Sequence, residues 1–91
     1  GHRARLRERF LGMGGDTLPD YELLELILFS ARPRGDVKPL AKELLKRFGS
    51  FAKVMYADEG ALREVPEVGE AVNRAIVVGM ALVLAVLRRK R

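Results

Sequence analysis

The sequence predicts an all-α fold, a compact bundle of five or six helices, on three observations. Apolar residues recur at three- and four-residue spacing, most cleanly in Val37, Leu40, Ala41, Leu44, Leu45 and Phe48, which share one helical face. Glycine, proline and capping residues interrupt the chain where helix ends need them, at Gly14-Gly15, Pro19, Gly35-Asp36, Gly49-Ser50, Asp58, Pro66 and Gly69. No segment alternates as a half-buried strand does. The one β-branched run, Ile76-Val77-Val78, lies inside an apolar stretch too long for a strand. With 91 residues, 48% of them hydrophobic, the chain makes a single domain with one core and no covalent staples.

The elements follow in order. Arg3 to Met13 sets Leu6, Phe10 and Met13 on one face among arginines, and Gly14-Gly15 ends the helix. Asp16-Thr17-Leu18 is a turn. Pro19 suits a first helical position, and Asp20 and Glu22 complement the dipole of a second helix over about Pro19 to Ala31. That helix is apolar on nearly every side, so it should lie centrally. Glu22 and Glu25 mark its wet strip and read as surface charges, since no nucleophile or metal ligand accompanies them.

Arg32-Pro33-Arg34-Gly35 is a loop. Asp36 reads as the cap of the amphipathic third helix, with Pro39 tolerated in its first turn. Lys38, Lys42, Lys46 and Arg47 form its solvated face. Ser50 caps a short helix that turns Phe51, Val54 and Met55 inward. Asp58 caps another, carrying Ala61, Leu62 and Val65. The last helix starts at Gly69 or Glu70 and runs toward Arg89.

Composition excludes several functions. There is no cysteine and one histidine, His2, so no disulfide, thiolate or histidine metal centre and no Ser/His or Cys/His pair is expected. No cofactor and no catalytic residue is assigned. The lack of cysteine favours an intracellular, cytoplasmic setting. No signal peptide is visible. The apolar run Ala75 to Leu87 counts thirteen residues, short of the roughly 17–25 of a membrane span; a helix buried against a partner is the better reading. The net charge of +5 is concentrated at the ends: four arginines against one glutamate in residues 1–9, and four basic residues in 88–91. Arg3, Arg5, Arg7 and Arg9 are either a non-specific phosphate contact or a solvated helix face.

The most informative segment is Leu62-Arg63-Glu64-Val65-Pro66-Glu67-Val68-Gly69-Glu70-Ala71. Proline ends one helix, glycine opens the next, and the turn between them leaves backbone N–H groups at a helix N-terminus, where anions bind. The segment resembles a helix-hairpin-helix turn. Phosphate would meet the N–H groups of Val68, Gly69 and Glu70, with Pro66 and Glu67 shaping the turn and Arg63 and Arg74 as nearby basic groups. The alternative is a plain corner between two helices. The loop from Arg32 to Asp36 could be a degenerate second copy.

The chain as a whole resembles the N-terminal domain of RadC-type proteins, historically called DNA repair proteins. The matching residues are Gly1-His2-Arg3, Arg5-Leu6-Arg7 and Arg9-Phe10, then Leu18-Pro19-Asp20-Tyr21-Glu22-Leu23-Leu24-Glu25-Leu26, Asp36-Val37-Lys38, Leu40-Ala41, Leu45, Arg47-Phe48-Gly49-Ser50, Val65-Pro66 and Gly69-Glu70-Ala71. The resemblance implies a tandem helix-hairpin-helix (SAM-like) fold and sequence-independent, phosphate-backbone DNA binding by a non-catalytic module. It further implies a following metalloprotease-like domain of the JAB/MPN type, absent from these residues. Two departures bear on DNA binding: Glu67 stands where the hairpin pattern has its first glycine, and Asn73 where it has alanine. With Glu64, Glu67 and Glu70 around the turn, the local charge opposes phosphate. The alternative function is therefore a protein-interaction or regulatory domain with a degenerate hairpin, its partner being the metalloprotease-like domain or a second copy, held through the 75–87 helix.

Overall fold

The computed structural model describes residues 1–13 and 18–89, apart from the side chain of Met13, and those residues contain six helices and no strand. They are α1 (His2–Met13), α2 (Asp20–Ala31), α3 (Lys38–Phe48), α4 (Phe51–Met55), α5 (Glu59–Arg63) and α6 (Glu70–Arg89). The expected helix stop at Gly14-Gly15, the turn at Asp16-Thr17, an inward Met13 side chain and Lys90-Arg91 lie outside the described residues.

α2 is the central element the sequence requires: α1, α3, α4 and α6 all pack on it. The core joins Leu24 and Leu28 of α2 to Val37, Leu40, Ala41 and Leu44 around α3, Val54 and Met55 of α4, Leu62 and Val65 around α5, and Val68, Val72 and Ile76 leading into α6. The radius of gyration, 12.9 Å, is close to the roughly 12 Å of a compact chain this long.

Local signals place the helix ends within one residue of expectation, except that α5 ends at Arg63 and leaves Val65, expected on it, to the turn that follows. Pro19 precedes α2 in extended conformation rather than opening it, and Val37 takes the cap position of α3. Asp36 still serves that end, its Oδ1 accepting from the Lys38 N–H at 2.9 Å. Ser50 and Asp58 cap α4 and α5 as expected, accepting from the N–H groups of Lys53 and Gly60. Gly49 closes α3 at φ +106°, donating to the Leu45 carbonyl.

Glu22 and Glu25 are not surface charges. They are 7% and 0% exposed, because α1 lies over the strip of α2 that carries them. Arg9 grips both carboxylate oxygens of Glu22, at 2.9 and 3.0 Å. This side-chain hydrogen bond holds the Arg9 guanidinium above its ordinary pKa. His2 Nε2 meets Glu25 Oε2 at 3.1 Å. Leu6 is the buried anchor between them, whereas Phe10, expected inward, is 40% exposed.

α6 is buried only at its beginning, through Val72, Asn73 and Ile76. Gly79 lets α6 pack closely on α2: a Cβ there would sit 3.2 Å from Ile27 Cδ1. Beyond it the helix projects past the bundle with Leu82, Val83, Leu84, Val86 and Leu87 exposed. The helix is 20 residues long and an 18-residue window of it has a mean hydropathy of 1.9, long and apolar enough to cross a membrane, which the thirteen-residue run did not indicate.

Candidate nucleic-acid interface

The corner between α5 and α6 is built from four residues. Val68 N–H donates to the Val65 carbonyl at 3.1 Å. Pro66 follows Val65, and Glu67 sits at φ +75°. Proline second, a positive φ third and a closing bond to the first residue define a type II turn. Glu67 is the only non-glycine residue at positive φ among those described. A position that asks for glycine thus holds a carboxylate, 61% exposed.

The turn ends at Gly69, whose carbonyl accepts from Asn73 N–H at 3.0 Å and so starts the α6 hydrogen-bond ladder. Val68 N–H, expected to face a ligand, is consumed by the turn. The N–H groups of Gly69, Glu70 and Ala71 have no acceptor among the described residues, and all three residues are exposed. They are the orphan donors of a helix N-terminus. Gly69 does not need a left-handed backbone, and a Cβ there would meet nothing within 4 Å. Its lack of a side chain leaves the amide open to a close approach.

The basic groups are arranged differently from the sequence expectation. Arg63 is occupied: its Nη2 lies 3.2 Å from Glu70 Oε1 and 3.9 Å from Glu59 Oε2. Arg74 lines a shallow groove of about 230 Å³ with Ser30, Ala31, Ala71, Ala75 and Val78 beside the corner. The group that sequence reasoning missed is Arg32. From the end of α2 its Nη2 donates to the Glu67 carbonyl at 2.7 Å, and its Nη1 lies 3.5 Å from Glu67 Oε1. One guanidinium therefore buttresses the turn and offsets its misplaced carboxylate.

The α1 arginines divide. Arg9 is committed to Glu22. Arg3 stacks on Phe29, 4.4 Å from the ring centroid, and donates to the Gly35 carbonyl at 2.9 Å. Arg3 and Arg32 therefore stand at the same end of α2, one reaching the α2–α3 loop, the other the corner. Arg7 and Lys38 join Arg3 along an open groove beside that loop. Arg5 and Arg7 are exposed on α1. The cationic end of α1 and the corner thus flank one connection. Among the described residues no cluster of acidic or histidine side chains is arranged to hold a metal ion.

Residues 2–73 match the family described as UPF0758 N-terminal. A UPF0758 protein of Rhodobacter capsulatus is 59% identical over 73 residues, covering 80% of this chain and 34% of that protein. One from Ruegeria pomeroyi is 61% identical over 71 residues, covering 78% of this chain and 32% of its own length. The chain thus spans about a third of the length of these relatives. No solved structure matches.

Proposed function

The chain belongs to the UPF0758 N-terminal family, and from that premise we propose that it is a non-catalytic DNA-binding module that holds the phosphate backbone without reading sequence. The observation that carries this reading is the corner itself. A Pro66–Glu67 type II turn delivers the unpaired N–H groups of Gly69, Glu70 and Ala71, at the head of a 20-residue helix, to an open surface. Such an end attracts phosphate by its donors and its dipole. The helix-hairpin-helix reading of the corner, and with it the RadC-type resemblance, is part of the proposal.

Arg32 and Arg74 supply local positive charge, and Arg3, Arg5 and Arg7 extend it along the amino end. Glu64, Glu67 and Glu70 oppose it, so the complex is weak. No helix presents the Asn, Gln and Arg cluster that reads base edges, so affinity is indifferent to sequence.

Fluorescence anisotropy with a labelled duplex tests the proposal. Three to four neutralised phosphates give a salt slope of about −3, and roughly a sixtyfold loss of affinity between 50 and 200 mM salt. Absence of binding at the low-salt end refutes it. So does binding that ignores salt.

A further inference from the structure

We propose that the outer part of α6 is a self-association surface, covered by a second copy of this chain. This inference is independent of DNA binding.

The helix is asymmetric along its length. Val72, Asn73 and Ile76 are buried in the domain, while Val77, Val78, Leu82, Val83, Leu84, Val86 and Leu87 are each 42–62% exposed. Apolar residues surround this part of the helix, whereas a surface helix keeps a polar face. Water is therefore not its resting environment on every side.

Beside the projection lies its complement. Phe10, Leu23, Leu26, Ile27 and Phe51, with Gly79 at the floor, line an almost wholly apolar groove of about 460 Å³ that Leu82 and Val83 of α6 complete. Leu82 and Val83 of α6 belong to both the ridge and the groove. Two copies related by a two-fold axis can each lay the projecting end of α6 into the other's groove, and the contact closes without leaving a free end. The exposed surface of the seven α6 residues amounts to roughly 600 Å² per copy, so a pair that covered all of it would bury about 1,200 Å² there, the lower bound of a stable interface. Charge agrees. The projection ends in Arg88 and Arg89, and the groove rim carries Asp20, whose carboxylate accepts from the N–H of the groove residue Phe51 at 2.9 Å.

A lipid bilayer is one competing occupant, since α6 has the length and hydropathy of a span. The folded domain argues against it. Only residues 81–89 lie beyond the contacts of Gly79 and Met80 with the core, about 14 Å at 1.5 Å per residue, against a hydrocarbon thickness of about 30 Å. Spanning with the whole helix would pull Val72, Asn73 and Ile76 out of the core.

Sedimentation equilibrium of the 91-residue chain is expected to give a concentration-dependent dimer. Leu82→Glu and Leu87→Glu each raise its dissociation constant at least about tenfold, as loss of a buried leucine requires, with the helical circular-dichroism signal retained. Because the chain has no native cysteine, Val86→Cys provides a second reading. A bis-maleimide links it to a covalent dimer, whereas Lys46→Cys, on the exposed face of α3, stays monomeric. A chain that sediments as a monomer at high micromolar concentration overturns the proposal. So does a dimer indifferent to both glutamate variants, or a monomer that co-floats with neutral phosphatidylcholine vesicles through α6.

Discussion

Replacing Glu67 with glycine separates the two roles of the corner, backbone and charge. At φ +75° an L-residue pays roughly 1–2 kcal/mol of steric cost. Glycine removes that cost and gives back about 0.5–1 kcal/mol through the greater freedom of the unfolded chain. The ion pair that disappears, with Glu67 Oε1 at 3.5 Å from Arg32, joins groups that are largely open to solvent and contributes less than about 1 kcal/mol. The stronger link from Arg32 goes to the Glu67 carbonyl and survives the substitution. The net gain is about 0.5 kcal/mol, or roughly 2–4 °C in melting temperature for a domain of this size. Removing the carboxylate also lifts a repulsion. A unit charge about 5 Å from a phosphate in water is worth about 0.8 kcal/mol before screening, so DNA affinity rises about two- to fourfold. Glu67→Ala is the control, since it removes the charge and keeps the strained backbone. Thermal denaturation is expected to rank glycine above both alanine and wild type, while anisotropy ranks glycine and alanine together above wild type. Equal melting of glycine and alanine refutes the strain argument. Affinity that is unchanged in both shows that phosphate docks elsewhere.

Other substitutions probe neighbouring features. Arg32→Ala removes the bond to the Glu67 carbonyl and lowers stability by about 1 kcal/mol; it also weakens DNA binding, and Arg32→Lys, lacking the fork, recovers only the charge. Gly69→Ala has room for its methyl group and costs the fold about 0.5–1 kcal/mol as a poorer cap, yet it covers the exposed amide, so anisotropy should show a larger loss than melting does. Glu25→Leu removes a fully buried carboxylate whose Oε1 has no hydrogen-bond partner; the melting temperature is expected to hold or rise, because an apolar side chain avoids the desolvation cost, and a clear fall would show that the bond to His2 outweighs burial. Leu44→Ala, at a fully buried position, should cost about 3 kcal/mol by the cavity it leaves, read from urea denaturation.

What the sequence disclosed, and what it hid, follows the range of the interactions. The α3 stripe and the Ser50 and Asp58 caps are legible because each depends on residues two to four apart. The corner was legible for the same reason: Pro66, Glu67 and Gly69 lie within four residues, and the cost of Glu67 is visible in its type alone. The fate of Glu22 and Glu25 was not. Their spacing assigns them one face of α2 but cannot say that α1 covers it, and the partners Arg9 and His2 lie 13 and 23 residues away. Arg32 escaped similarly, since its partner Glu67 is 35 residues downstream. A leftover arginine beside a proline loop reads as solvated until the two ends meet. α6 was legible in part: its apolarity is plain, but how far it outruns the bundle depends on the lengths of the short helices before it.

The hydrogen bonds from Arg9 to Glu22 and between His2 and Glu25, beneath α1, make the outermost helix a condition of the innermost one. If residues 2–9 were clipped by a protease, the missing strap would uncover two carboxylates along the flank of α2, and water would have to enter to solvate them. A cut at the periphery would loosen the centre, so amino-terminal trimming of this domain is an unfolding event and not a tidy shortening.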